Sequence, residues 1–218
     1  RGLGDVYKRQ ILINVLSFAV AYALTRKIPG ANIYRGVFFM PNLIGGIVLG
    51  YIWQRIFNGI LPTAIVLNTH YGFWGLIVLM CWQQVGYMMI IYIAGLQSVS
   101  EDMLEAARID GANGWQILWK ITIPTVMPSI TICTFLTLTN SFKLFDQNMV
   151  LNEGRPYIFQ NGVQIKTTEM LALNIYNTFY MNAKSRGVGQ AKAVLFFILV
   201  AAIALIQLRA THEKEVQQ

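Results

Sequence analysis

The run from Ser98 to Ser129, SVSEDMLEAARIDGANGWQILWKITIPTVMPS, is charged and helix-patterned, and strongly apolar segments flank it on both sides. Ser98 with Glu101 three residues on reads as a capping box, so a helix is predicted to start near Val99. Met103, Leu104, Ala106, Ala107 and Ile109 give that helix an apolar stripe, opposite Glu101, Asp102, Glu105, Arg108 and Asp110. Gly111 falls where a left-handed C-terminal residue would end it. A second helix is predicted from Asn113 through Trp115, Leu118 and Trp119, with Pro124 stopping it. Helix, glycine break and second helix are thus held between two membrane-length segments.

Glu105-Ala106-Ala107, then Ile109-Asp110-Gly111-Ala112, then Ile123-Pro124 and Pro128, resemble the EAA loop of binding-protein-dependent ABC permeases, most closely the carbohydrate-importing, maltose-type branch. The resemblance implies an all-α, polytopic helix bundle of the type I importer permease fold, with six spans in an intact chain. It implies a cytoplasmic loop at residues 98–128 that docks into a cleft on a dimeric ATP-hydrolysing subunit. Glu105, Ala106, Ala107, Asp110, Gly111, Ala112 and Pro124 are the coupling positions, with Glu105 as a charge partner and Gly111 as the pivot. The other implied partners are a second permease subunit around a shared pathway and an extracytoplasmic solute-binding protein. An ordinary surface-lying amphipathic helix would carry a Lys/Arg-rich polar face, whereas this one sets four acidic residues against Arg108.

Composition agrees with a bilayer location. Of 218 residues, 55% are hydrophobic and only 12% charged, with a mean hydropathy of +0.48, against about 25% charged in soluble domains. The net charge of +7 belongs mostly to segment ends and loops, where basic groups anchor to headgroups, and no basic stripe with interleaved aromatics points to nucleic acid. Cys81 and Cys133 lie in apolar runs, as small core residues do.

Taken in order, residues 1–10 (RGLGDVYKRQ) lack an apolar core for a signal peptide and read as a leader of non-native origin. Residues 11–209 are expected to form the permease domain and 210–218 a polar cytoplasmic tail. The apolar run Ile11 to Leu24 is about 14 residues, under the roughly 20 that span a bilayer. The chain is therefore expected to be a fragment with five spans, the first missing and the next clipped. Further spans are predicted near 34–53 (with Pro41, Gly45 and Gly46 inside), 73–96, 126–145 and 191–208. Residues 54–72 read as loop, and 148–189 as a long hydrophilic connection. Thr167, Thr168, Ile175, Tyr176, Phe179, Gly187, Gly189 and Ala193 are similar to the family's approach to its last span. Asn152-Glu153-Gly154-Arg155-Pro156 departs from the family's usual Thr-x-Gly-Gly-Pro turn. Basic residues do not orient the chain: Arg26, Lys27, Arg35, Arg108, Lys120, Arg209 and Lys214 fall inside, and Arg55, Lys143, Arg155, Lys166, Lys184, Arg186 and Lys192 outside.

No catalytic constellation is visible. There is no Gly-Lys-Ser/Thr phosphate loop and no His-Glu-x-x-His, so no cofactor or metal is expected on this chain and ATP belongs to a partner. A sugar path needs hydroxyl, amide and aromatic groups and few full charges. Thr134, Thr137 and Ser141 fall on one helical face with Asn140 beside it, and Asn42, Gln83, Gln84 and Tyr87 could add amide and phenol groups. The competing reading has the threonines bonding back to their own helix and the amides joining helices. For the cluster from Thr134 to Ser141 the pathway is the expectation; for any one residue, the structural role. Lys143 and Asp146 read as interface anchors. The alternatives are an ion-coupled secondary transporter of a small polar solute, which would want a mid-bilayer carboxylate that no span offers, an ABC permease for a non-sugar substrate, and a membrane-embedded enzyme, for which no motif exists.

Overall fold

The computed structural model describes residues 2–26, 28–142, 144–153, 156–160, 162–181 and 183–215. Lys27, Lys143, Gly154 and Arg155, weighed above as loop charges or turn residues, lie outside them. Helix α1 (Gly2–Thr25) packs against α4 (Thr69–Gln97), which is apolar on nearly every face and is mostly buried. The span predicted at 34–53 is not one rod. It divides into α2 (Ala31–Phe39), a 3-10 turn at Met40–Leu43, and α3 (Gly46–Ile60), which turns away by 101°. Pro41 at the head of the 3-10 turn removes a backbone donor, and Ile44 and Gly45 are extended, so the helical ladder cannot continue. α3 takes residues 54–60 of the predicted loop and α4 takes 69–72, leaving residues 61–68 irregular.

After α5 (Glu101–Ile109) and α6 (Gly114–Ile117) the helix does not stop at Pro124 as predicted. Leu118–Thr122 widens into a π-turn, α7 (Ile123–Thr125) carries Pro124 in its first turn, and the axis bends 69° into α8 (Met127–Phe142). The wider turn accommodates a residue that lacks an N–H and crowds the preceding carbonyl.

The predicted hydrophilic connection is folded. It holds α9 (Asp146–Asn152), an antiparallel hairpin of β1 (Tyr157–Gln160) and β2 (Val163–Lys166), and α10 (Leu171–Tyr180). α11 (Arg186–Glu215) closes the chain against α10 and α8 and turns Leu195, Phe197 and Ile206 outward. By length and composition α4 and residues 186–207 of α11 are long and apolar enough to cross a membrane; each bent pair makes one more candidate, and residues 9–25 form a shorter apolar helix. Lys192, counted above among the outside charges, lies in α11 and donates to Asn174 Oδ1 (2.9 Å) and Thr178 Oγ1 (2.8 Å) of α10.

One amide ties three helices together. Asn14 Oδ1 on α1 accepts from the Tyr92 hydroxyl on α4 (2.7 Å), and its Nδ2 donates to Thr137 Oγ1 on α8 (2.9 Å). Nearby, α2 lies so close to α4 that a Cβ on Gly86 would collide with the Phe38 carbonyl. Gly86→Ala is therefore expected to lower stability in detergent by roughly 1–3 kcal/mol through forced separation of backbones. Gly36→Ala, with nothing within 4 Å, is expected to be neutral or slightly stabilising. Thermal unfolding of the two variants side by side checks this, and equal midpoints would contradict the close-approach argument.

Candidate functional site: a coupling loop and an amide-lined cavity

At one end of α4 the chain enters the loop that dominates the sequence. Ser98 does not cap α5: its Oγ donates back to Gly95 O of α4 (2.7 Å), and Ser100 occupies the cap position without a side-chain bond. The reciprocal capping box forms at Asn113 instead, where Gln116 N donates to Asn113 Oδ1 (2.9 Å) and Asn113 N to Gln116 Oε1 (2.8 Å). Gly111 is left-handed, with φ +80°. Its N–H reaches Arg108 O (3.1 Å) while the Ala112 N–H reaches Ala107 O (2.9 Å), the paired bonds of a Schellman ending. Asp110 N donates to Ala106 O (2.9 Å). The Ala106, Ala107, Asp110, Gly111, Ala112 spacing is thus the hydrogen-bond pattern of a helix stop.

The apolar stripe predicted for α5 is mostly unburied within the chain. Leu104 packs on the core, as does Ile121 from the following helix. Ile109 is 85% exposed, Trp115 70% and Trp119 62%, and Met103 and Glu105 are also exposed. Asp110, Gly111 and Ala112 line a notch of about 240 Å³ together with Gln116 and Lys120, while Pro124 sits half-buried at the root. Such a knob, pinned at two points and apolar at its tip, suits a soluble partner.

Farther along α4 a cavity of about 270 Å³ gathers Asn42 from the 3-10 break, Gln83, Gln84 and Tyr87 from α4, Asn140 from α8, and Asp146 and Gln147 from α9. Gln147 Nε2 donates to Gln83 Oε1 (2.8 Å), closing α9 onto α4. Gln84 is buried, and its Oε1 has no hydrogen-bond partner among the described residues. Gly46 lets α3 approach this wall, since a Cβ there would come within 2.9 Å of Gln147 Nε2. Asp146, read from sequence as an anchor, is a cavity residue. Gln147 escaped the sequence reading because it sits past the end of a span, and nothing local announces that α9 folds back.

The structure divides the predicted pathway set. Thr134 Oγ1 donates to Ile130 O (2.7 Å), Thr137 Oγ1 to Cys133 O (2.8 Å) and Ser141 Oγ to Thr137 O (2.7 Å). None of these three lines the cavity, and Thr137 also accepts from Asn14. The hydroxyls bond back to their own helix, the arrangement the competing reading describes. The isolated amides, read individually as helix glue, are the groups that converge.

At the opposite end from the loop, Glu169 accepts from Asn174 Nδ2 (2.7 Å), from Asn177 Nδ2 and from Lys166 Nζ (3.2 Å). Burial opposes ionisation of this carboxyl, but the two amides and the Lys166 ammonium together outweigh it and hold it below the usual carboxylate range. A depressed folded value means stability that is present above the unfolded value of about 4.3 and lost as pH falls through the folded one. Glu169→Gln is expected to cost about 1–2 kcal/mol at pH 7 and to flatten the fall in melting temperature between about pH 5 and pH 3. A variant as acid-sensitive as the wild type would remove the role of this cluster.

Residues 13–212 match the family described as "Binding-protein-dependent transport system inner membrane component". The chain belongs to that family. It is 42% identical to the probable starch degradation products transport system permease protein AmyD of Thermoanaerobacterium thermosulfurigenes over 95% of this chain and 72% of the relative. It is 26% identical to the sn-glycerol-3-phosphate transport system permease protein UgpA of Agrobacterium fabrum, over 91% of this chain and 69% of that one. In fold it is similar to a chain of a bacterial alginate ABC transporter crystallised with an alginate pentasaccharide-bound periplasmic protein. There the TM-score is 0.75 at 15% identity, covering 94% of this chain and 74% of the other. The chain is therefore a helical inner-membrane permease component of a binding-protein-dependent ABC transport system, and a transport subunit by family.

Proposed function

We propose that this permease passes a neutral carbohydrate, a short glucan of the kind starch breakdown yields, and that a separate ATPase drives it through the loop around Gly111. The observation that carries the substrate class is the cavity between α4, α8 and α9. Among the described residues its polar lining is four amides besides Asn140, a phenol and the Asp146 carboxylate, without a lysine or arginine. Amides both donate and accept, as a hydroxyl-covered solute requires, and the unpaired Gln84 Oε1 is an acceptor waiting for a hydroxyl. A phosphate ester would call for the cationic forks that recognise phosphate, and the described lining has none. The 42% identity to a relative named for starch degradation products points the same way. An ATPase dimer, a second permease and an external binding protein complete the system; the exposed tip of the loop and its acidic residues offer the ATPase a surface.

Reconstituted with its partners, the transporter is expected to take up labelled maltotriose, with unlabelled maltotriose competing and sn-glycerol 3-phosphate not. Efficient competition by the phosphate ester would overturn the substrate class. Separately, Gly111→Val places a β-branched residue at a left-handed position, at a cost of about 1–2 kcal/mol, and distorts the loop rather than the cavity. Uptake should fall at least tenfold while ATP hydrolysis loses its dependence on sugar-loaded binding protein; normal uptake would sink the pivot role.

A further inference from the structure

Beyond α9 from the amide cavity lies a second, larger hollow of about 860 Å³. α9 separates the two, contributing Asp146 and Gln147 to the smaller and Met149 and Glu153 to the larger. The hairpin and α10 supply the other walls with Tyr157, Gln164, Tyr176 and Asn177. This is the end of the molecule opposite the coupling loop, since α4 starts here and α8 ends here. Thr69 at the head of α4 bonds to Thr167 beyond the hairpin (2.9 Å), and Thr167 N donates to Pro156 O (2.7 Å).

The volume lies within the roughly 300–1,000 Å³ of small-molecule sites. Two tyrosines and two amides share its wall with aliphatic and methionine side chains and with Glu153 and Lys166. A tyrosine offers an apolar face with a polar tip, which fits the C–H face and hydroxyl rim of a sugar ring. Tyr176 is held between Phe145 (5.1 Å) and Tyr180 (4.7 Å), and Asn177 is fixed by its bond to Glu169. These side chains are set in place before any ligand arrives. Among the described residues, the Tyr157 and Tyr176 hydroxyls and the Gln164 amide make no side-chain hydrogen bond in the chain, so their polar ends are available.

We infer that this hollow is a second carbohydrate subsite, outside the amide cavity, which holds one part of an oligosaccharide before it enters the spans. The inference rests on the neutral-carbohydrate reading above and adds a place to it. Two subsites on either side of one short helix would favour substrates of several rings over single hexoses.

The test uses the full-length permease with its partner permease and ATPase in nanodiscs, without binding protein, and a maltotriose carrying a diazirine at its reducing end. Peptides covering residues 157–166 and 171–181 are expected to be labelled, and a hundredfold excess of unlabelled maltotriose should protect them. Tyr176→Ala should cut that labelling at least fivefold while labelling of the α4 peptide around Gln84 persists. Gln164→Ala, on an exposed strand, should cut it at least twofold without disturbing assembly. Protected labelling confined to α4 would overturn the outer subsite and leave the carbohydrate reading standing. Labelling of the hairpin only when binding protein is added would also overturn it, assigning the hollow to that interface. An absence of protected labelling anywhere would overturn both.

Discussion

The Asn14 amide carries a constraint on which the rest of the bundle depends. In a bilayer core no water replaces a lost partner, so each buried polar group must find one within the protein. Asn14 accepts from Tyr92 and donates to Thr137, and the Thr137 hydroxyl in turn donates to Cys133 O. One polar chain thus pins α1, α4 and α8 at a single level, surrounded by Ile13, Met88, Met89 and Cys133. Packing between apolar faces alone would leave these helices free to slide, since lipid tails are as apolar as the side chains. A directed bond between three helices fixes rotation and register as well as proximity.

With that register set, backbone proximity does the remaining work. Gly86 admits α2 to the face of α4, Gly46 and Gly50 admit α3 to α9, and a Cβ on Gly95 would run into Ser129 at the start of α8. Each contact sits where one element must pass very close to another. The broken span is the consequence: α2 can lie along α4 only if the chain then turns sharply at Pro41 and leaves for α9. That turn is also what presents Asn42 to the cavity. The kink and the polar site have one cause.

The helix ending at Gly111 was legible because its signals are local. Gly111 and the two alanines before it specify a helix ending over six residues, and hydrogen bonds within those six residues produce it. The cavity was legible only in its parts. Helical spacing put Thr134, Thr137 and Ser141 on a common face but could not say what that face meets, and it meets α1 and its own carbonyls. Asn42, Gln83, Gln84 and Asn140 come together because of the break at Pro41 and the return of α9, which are tertiary events. The hairpin was a different kind of miss. Asn161-Gly162 between two short alternating runs is a strong local turn signal, and hydrophilic composition across residues 148–189 obscured it. Gly162 duly takes a positive φ of +75°.

The two working ends are joined by one element. α4 runs 29 residues from the hairpin end to Gln97, about 43 Å at 1.5 Å per residue, and three residues connect it to α5. It carries Gln83, Gln84 and Tyr87 along its length, and its last turn is locked to α8 by the Gly95 contact with Ser129. α8 meanwhile leads back to the loop through the π-turn and the bend at Val126. The loop is therefore strung between the near ends of the same two helices that line the cavity, α4 from its middle and α8 from its far end. A displacement of the loop would bear on both helices, and α9 is tied to α4 by two hydrogen bonds, Gln147 Nε2 to Gln83 Oε1 (2.8 Å) and Asn152 Nδ2 to Gly72 O (3.1 Å). Since α9 also divides the cavity from the outer hollow, a shift of that short helix would change access between them, whereas the Asn14 junction holds the three long helices in register.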